Sequence, residues 1–283
     1  MPPAPKPRGE VTRGTTAPNR LRRIDRWIAA TQTRALRSGA RPLAVDLGYG
    51  ASPVTTVELY DRLRAVSPRL DVVGIEIEPE RVAAGLAVLA ALKDGSHEAS
   101  LGRRFDGLSF RRGGFELPVP RPPVLVRALN VLRQYDEPAA WRAWDDLRER
   151  LAPSGVLVEG TCDEIGRRAV WVTLTKDGPQ TITFAAHLRT LERPSALAER
   201  LPKTLIHRNV PGEPVHELLT AFDRCWATAA PHSAFGPRAR WVEAVSMLAQ
   251  THPVLARPPY GGRNRWRLGE VTLPWSAVAP YSR

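Results

Sequence analysis

The chain has 283 residues, 43% of them hydrophobic, and a formal net charge of +12. This length suits one large α/β domain or one domain with an appendage, and no apolar run approaches the ~20 residues that a membrane span needs. Cys162 and Cys225 stand far apart, which excludes a disulfide framework and a cysteine-based metal centre. The N-terminal residues have no apolar stretch of the secretory type, so we expect a cytoplasmic protein without membrane contact.

The positive charge is concentrated near the N-terminus. Residues 1–41 contain ten Lys or Arg and two acids, which is two thirds of the net charge. Residues 1–18 are rich in Pro, Gly and Thr and predict a flexible arm, whereas residues 19–38 have an apolar face at helical spacing. A basic arm of this kind makes RNA or another polyanion a candidate partner, and a solvated tail is the alternative.

One stretch predicts a strand, a glycine turn, a helix and a second strand. Residues 43–47 form an apolar run, Gly48 and Gly50 follow it, and residues 72–76 form a buried run that ends on Glu76. Such a βαβ unit binds ligands at the carboxyl ends of its strands. An acid at the end of the second strand can accept both hydroxyls of a ribose. The stretch therefore predicts a nucleoside-containing cofactor.

Asp46 discriminates between cofactors. A dinucleotide places its pyrophosphate over this turn, at the N-terminus of the helix. At ~5 Å and an effective dielectric constant of ~20, the carboxylate would oppose that charge by roughly 3 kcal/mol. Pro53 also stands where the dinucleotide pattern has its third glycine. These features disfavour a nicotinamide-dependent oxidoreductase, whereas a cofactor with an ammonium and a sulfonium group would be attracted.

The acid-x-Gly-x-Gly turn with a downstream acid resembles the cofactor site of class I S-adenosylmethionine (SAM)-dependent methyltransferases, over roughly residues 43–160. The resemblance implies a doubly wound, mostly parallel seven-stranded sheet with an antiparallel hairpin, and a helical C-terminal part follows it here. It implies SAM as cofactor and direct in-line transfer of a methyl group to an acceptor, RNA or a small molecule. The alternative is a non-catalytic methyltransferase-like protein that binds nucleic acid through its basic arm.

The resemblance also assigns positions around the cofactor. Asp46 would face the methionine end, the glycines would allow close approach, Glu76 would bind the ribose, and residues 113–115 would border the adenine. Phe115 stands where the family often has an acid, so its ring lies either against the adenine or in the core. The predicted cofactor-binding residues are Asp46, Gly48, Tyr49, Gly50, Glu76, Ile77, Gly114, Phe115 and Asn130.

The catalytic group is not evident from the sequence. In-line methyl transfer depends mainly on positioning, with a base where the acceptor carries a proton. Asn130, Tyr135 and Asp163 follow predicted strands and are candidates. The histidine spacing matches no zinc or iron motif, so no metal is expected.

The rest of the chain completes the predicted organisation. A hairpin is expected around residues 176–178. Residues 257–283 mix arginines with aromatic residues, a composition found in nucleic-acid binding and in surface tails that pack on a domain. We predict three regions: a basic arm and helix at 1–41, a SAM-binding Rossmann-like domain at 42–190, and a helical extension packed on it at 191–283.

Overall fold

The computed structural model describes residues 6–11, 16–97 and 105–282. The strands are β1 Leu43–Leu47, β2 Asp71–Glu76, β3 Leu108–Arg112, β4 Leu125–Leu129, β5 Val156–Cys162, β6 Arg168–Thr175, β7 Gly178–Ala186 and β8 Glu270–Pro274. The helices are α1 Arg22–Thr31, α2 Thr33–Leu36, α3 Val54–Arg64, α4 Pro79–Asp94, α5 Glu137–Glu149, α6 Lys203–Ile206, α7 Pro214–Thr228, α8 Pro237–Leu248 and α9 Arg263–Trp266.

All eight strands belong to one sheet, in the order β3-β2-β1-β4-β5-β6-β7-β8. The pairs among β1 to β5 are parallel, as expected for strands joined by long crossover connections. Helices α3, α4 and α5 form three of these connections, and the loop over residues 113–124 joins β3 to β4. The strand order reverses between β1 and β4, and ligands of open α/β sheets bind outside the carboxyl ends of strands at such a point. The predicted glycine turn and Glu76 therefore follow strands that end together at this switch point.

The sheet differs from the prediction in its second half. β6, β7 and β8 pair antiparallel, and the predicted hairpin turn connects β6 to β7. The prediction of seven strands was wrong, because β8 adds an eighth strand at the edge of the sheet. The predicted helical C-terminal part contains this strand in addition to its helices. β8 is short, and its alternation of Val271, Thr272 and Leu273 is too brief to stand out among the prolines and arginines around it.

The N-terminal helix packs on the sheet. Ile24, Trp27 and Ile28 on α1 are at most 1% exposed, and the rings of Trp27 and Trp171 meet edge to face at 5.3 Å. The predicted helix over residues 19–38 is interrupted at Gln32, where α1 ends and α2 begins. The division of the chain at residues 41 and 190 stays a prediction.

Apolar cores cover both faces of the sheet. On one face, Trp144 of α5 and Trp241 of α8 belong to one buried cluster. On the other face, Trp27 of α1 and Leu59 of α3 belong to a second. No helix within the described ranges is long and apolar enough to cross a membrane.

Candidate functional site

Glu76 and the glycine turn meet at the switch point of the sheet. Gly48 and Gly50 have φ of 66° and 81°, a region that glycine adopts without steric cost. The amide of Gly50 donates to one oxygen of the Glu76 carboxylate at 2.9 Å, and the amide of Ile77 donates to the other at 2.9 Å. Glu76 is 1% exposed, so a ligand reaches its carboxylate only after neighbouring groups move.

Asp46 lies below this turn and forms an ion pair with Arg127. The Arg127 Nε donates to Asp46 Oδ1 at 2.9 Å, and its Nη2 donates to Oδ2 at 2.6 Å. Thr56 Oγ1 of α3 donates to the same Oδ2 at 2.7 Å, while Arg127 Nη1 reaches Asp25 of α1 at 2.5 Å. The Asp46 carboxylate thus joins β1 to β4 and α3, and Arg127 connects it to α1.

The buried charges of Asp25, Asp46 and Arg127 offset one another, together with that of Arg62. Burial opposes the charge on Arg127, yet Asp25 and Asp46 raise the pKa of its guanidinium. Burial raises the pKa of the Asp25 carboxyl, against the opposing effect of Arg127 and Arg62. Because Arg127 offsets the charge of Asp46, the repulsion expected for a pyrophosphate is weaker than an unpaired carboxylate would cause. Contact between Asp46 and a cofactor stays a prediction.

Sequence reasoning missed Arg127 and Asp25. Arg127 is the one charged residue in the strand Leu125–Leu129, and Asp25 interrupts the apolar face of α1. A charged residue in a fully buried strand requires a partner of opposite charge. That rule, applied to both residues, was the signal that could have identified the pair.

The segment Lys6–Val11 lies over the groups predicted to border the nucleoside. The carbonyl of Arg8 accepts from the Phe115 amide at 2.9 Å, and the Glu10 amide donates to the Tyr135 hydroxyl at 2.5 Å. A Cβ atom added to Gly9 would lie 3.3 Å from Ile77 Cδ1 and 3.5 Å from a Phe115 ring carbon. The segment therefore occupies the surface formed by Ile77, Phe115 and Tyr135.

Gly114 is needed for this contact. A Cβ atom at Gly114 would lie 1.9 Å from the Arg8 carbonyl oxygen, which no side chain permits. Phe115 itself is 8% exposed, and its ring lies 5.6 Å from that of Tyr135. Farther along the chain, Thr16 Oγ1 donates to the carbonyl of Tyr49 in the glycine turn at 2.9 Å.

Two further predicted cofactor residues are engaged in local contacts. Asn130 has a φ of 63°, accepts from the Cys162 amide at 2.9 Å and donates to the Cys162 sulfur at 3.3 Å, so it links β4 to β5. Tyr49 packs edge to face on Phe110 and donates to the Arg81 carbonyl at 3.0 Å. Burial, together with Glu76 and Asp46, raises the pKa of the Tyr49 phenol.

Of the candidates for catalysis, Tyr135 lines an open cleft. Asp163 accepts the amides of Arg167 and Arg168 at 2.7 and 3.0 Å, the pattern of a turn. Tyr135 borders a cleft of about 370 Å³ with Arg8, Phe115, Arg142, Asp145 and Asp146 among its walls. Burial raises the pKa of the Tyr135 phenol, so this hydroxyl stays protonated at neutral pH. Within the described ranges, no group of three His, Cys, Asp or Glu residues could hold a metal ion.

The comparisons with known proteins give structural matches of limited extent. No family model and no curated protein matches the chain. Magnesium protoporphyrin IX methyltransferase from Synechocystis PCC 6803 with bound S-adenosylhomocysteine (SAH) is 15% identical, with a TM-score of 0.36, over 50% of this chain and 53% of that one. Human N-acetylserotonin methyltransferase in complex with SAM is 20% identical, with a TM-score of 0.34, over 50% and 35%.

A third match is a variant of LepI in complex with SAH and a substrate analogue, which is 17% identical, with a TM-score of 0.33, over 46% of this chain and 30% of that one. The chain thus spans about half or less of the length of these three structures. The order and direction of the strands define the fold. Strands β3-β2-β1-β4-β5 are parallel, with helices on both faces, which agrees with the doubly wound arrangement expected from the resemblance to class I methyltransferases.

Proposed function

We propose that the chain is a SAM-dependent methyltransferase whose cofactor site is the switch point between β1 and β4. The observation that carries this proposal is the contact between Glu76 and the glycine turn. The carboxylate and the Gly50 amide lie 2.9 Å apart, so an acid suited to ribose hydroxyls and a turn suited to close approach belong to one site.

Each neighbouring group has a role in this proposal. Glu76 would accept the ribose hydroxyls, and the absence of side chains at Gly48 and Gly50 would let the cofactor lie close to the backbone. Ile77 and Phe115 would supply apolar contact for the adenine. When bound, SAM supplies an electrophilic methyl group, and the protein's contribution is to hold an acceptor in line with it.

The cleft beside Tyr135 is the proposed entrance for the acceptor, which is RNA or a small molecule. Its walls combine Tyr135 and Phe115 with the charged residues Arg142 and Asp146. A protonated Tyr135 would orient the acceptor by a hydrogen bond and would not remove a proton from it. An acceptor nucleophilic in its neutral form, such as an amine or a ring nitrogen, suits such a site best.

Calorimetric titration with SAM tests the proposal. Wild type should bind SAM with one site per chain, and Glu76→Ala should weaken binding at least tenfold, because charge-assisted hydrogen bonds contribute roughly 1.5–3 kcal/mol. The matched control is Glu80→Ala, which removes an exposed acid from the first turn of α4. Equal binding by wild type and Glu76→Ala, or no binding by wild type, would overturn the assignment.

A dinucleotide is the competing ligand that must be tested beside SAM. Because Arg127 is paired with Asp46, the carboxylate disfavours a pyrophosphate less than expected, and Pro53 in place of a third glycine is the other feature against it. A thermal-shift comparison should show stabilisation by SAM or SAH and none by NAD at equal concentration. Stabilisation by NAD alone would replace the methyltransferase proposal with that of a nicotinamide-dependent enzyme.

A further inference from the structure

A groove outside the candidate cofactor site is lined by arginines around an exposed aromatic ring. Two adjoining clefts of about 520 and 390 Å³ share Phe235, Arg238 and Arg267 as walls. The first also includes Arg263, and the second includes Arg189. We call these two clefts together the Phe235 groove.

Four arginines of the Phe235 groove have no partner among the described residues. Within the described ranges, the side chains of Arg189, Arg238, Arg263 and Arg267 form no hydrogen bond or ion pair, and all four are exposed. Glu243 is the acid among the walls of the larger cleft. Four unpaired guanidinium groups against one carboxylate make the groove a site of positive potential, which attracts a polyanion.

Phe235 supplies a second kind of contact. It lies in the 3₁₀ turn between α7 and α8 and is 81% exposed. Burial of a Phe side chain is normally favourable, and this ring remains exposed to solvent. An exposed ring among guanidinium groups provides a stacking surface beside phosphate-binding charges.

The Phe235 groove lies at the same end of the sheet as the candidate cofactor site. β7 runs in the direction of β5, because both pair antiparallel with β6. The carboxyl ends of β5 and β7 therefore lie at the same end of the sheet. Arg189 follows the carboxyl end of β7, and Arg267 precedes the amino end of the antiparallel strand β8. Arg23 of α1 also lines the groove and donates to the Leu268 carbonyl at 2.5 Å.

We propose that the Phe235 groove binds single-stranded nucleic acid, with phosphates on Arg238 and Arg267 and one base stacked on Phe235. Single strands alternate phosphates with exposed base faces, and the groove offers both kinds of contact. A lipid surface would need a larger apolar patch than one ring and the half-exposed Leu268. The proposed binding does not depend on SAM; only the further step, delivery of a nucleic-acid acceptor to the cleft beside Tyr135, rests on the proposed function.

Fluorescence anisotropy with the full chain tests this site without cofactor. The probes are labelled single-stranded RNA and DNA of about 12 nucleotides and mixed sequence, titrated between about 50 and 200 mM salt. The double variant Arg238→Gln/Arg267→Gln should bind more weakly, and the slope of log affinity against log salt should shrink by about 1.4, the value for two lost phosphate contacts. The control Arg69→Gln/Arg150→Gln removes equal charge at the opposite end of the sheet and should leave the slope unchanged.

Variants at Phe235 separate stacking from charge. Phe235→Ala should weaken binding about tenfold without changing the salt slope, and Phe235→Trp should retain wild-type affinity. Comparison of the RNA and DNA titrations shows whether the sugar contributes to the affinity.

The proposal would be overturned if neither probe bound at about 50 mM salt, if the two arginine double variants lost affinity equally, or if Phe235→Ala left the affinity unchanged. Tighter binding to vesicles of phosphatidylserine and phosphatidylcholine than to either oligonucleotide would also overturn it. SAM binding measured separately keeps a failure here distinct from a failure of the proposed function.

Discussion

Arg127 lies fully buried between Asp25 and Asp46, below the glycine turn. Its removal would leave two buried carboxylates without their main partner, whereas a lysine would keep the charge but lose the planar fork. We expect Arg127→Leu to lower the free energy of unfolding by about 3–5 kcal/mol and Arg127→Lys to lower it less. Urea denaturation measures both, with exposed Arg150→Leu as control. A loss below about 1 kcal/mol in Arg127→Leu would contradict the structural role assigned to this pair.

We expect Glu159 to make the stability of the protein depend on pH. It lies within β5 and is 1% exposed. Trp144 donates to one carboxylate oxygen at 3.0 Å, and the other has no hydrogen-bond partner among the described residues. Burial raises the pKa of this carboxyl to about 8, against the smaller opposite effect of Trp144. Glu159 is therefore largely protonated in the folded protein at neutral pH.

The sign of the pH effect follows from the raised pKa. Between the unfolded pKa near 4.5 and the folded value of about 8, the folded state holds a proton that the unfolded state releases, so stability falls as pH rises. The loss reaches about 3 kcal/mol at pH 7. Urea midpoints at pH 5 and 8 should differ strongly in wild type and in the exposed control Glu149→Gln, and much less in Glu159→Gln. An unchanged pH dependence in Glu159→Gln would contradict this account.

The sequence predicted where single site residues lie along the strands better than it predicted which groups their side chains contact. Gly48, Gly50 and Glu76 follow strands whose ends meet, because parallel strands are recognisable from apolar runs and turn residues. The partner of Asp46 could not be read in the same way, since Arg127 lies eighty-one residues away and only the register of β1 with β4 brings them together. Asn130 likewise follows β4 as expected, but its amide contacts Cys162.

At the element scale, the segment Lys6–Val11 is the most consequential finding. Its backbone contacts Phe115 and Tyr135, which the proposed function assigns to the nucleoside and the acceptor. A nucleoside bound there must displace the segment. The sequence predicted a flexible arm from Pro and Gly content, but composition does not show which surface an arm contacts.

Removal of the segment Lys6–Val11 should therefore tighten the binding of the cofactor. We expect deletion of residues 1–11 to tighten SAM binding, because no protein contact has to be broken first. Gly114→Ala should act in the same direction, since its Cβ would exclude the Arg8 carbonyl. Calorimetric titration of both variants with SAM measures the effect. Weaker binding after the deletion would show instead that the segment contributes to the bound state.

At the scale of the whole molecule, the sheet combines a parallel half with an antiparallel extension. The parallel half was predictable, since apolar runs predicted its strands and α3, α4 and α5 separate β1 from β2, β2 from β3 and β4 from β5. The extension was only partly predictable, since β8 is separated from β7 by more than eighty residues and local sequence does not indicate which strand it pairs with. This extension brings the Phe235 groove to the end of the sheet where the candidate cofactor site lies.

The distribution of charge also differs from the expectation for a free basic arm. Arg8 pairs with Asp146 and Arg41 pairs with Asp71, and Arg20 donates to the Asp163 carbonyl at 2.9 Å. Part of the arm's charge is thus used within the fold. Exposed arginines without a partner among the described residues also line the Phe235 groove, where they surround an exposed aromatic ring. This combination makes the groove the stronger candidate for a polyanion.

A crystal structure with SAH would show whether the switch point between β1 and β4 holds the cofactor. We expect the ribose hydroxyls on the Glu76 carboxylate, the adenine beside Phe115, and the segment Lys6–Val11 displaced from Tyr135. SAH bound elsewhere, or a structure from crystals grown at saturating SAH with Glu76 still covered and Arg8 still bonded to Phe115, would contradict this assignment.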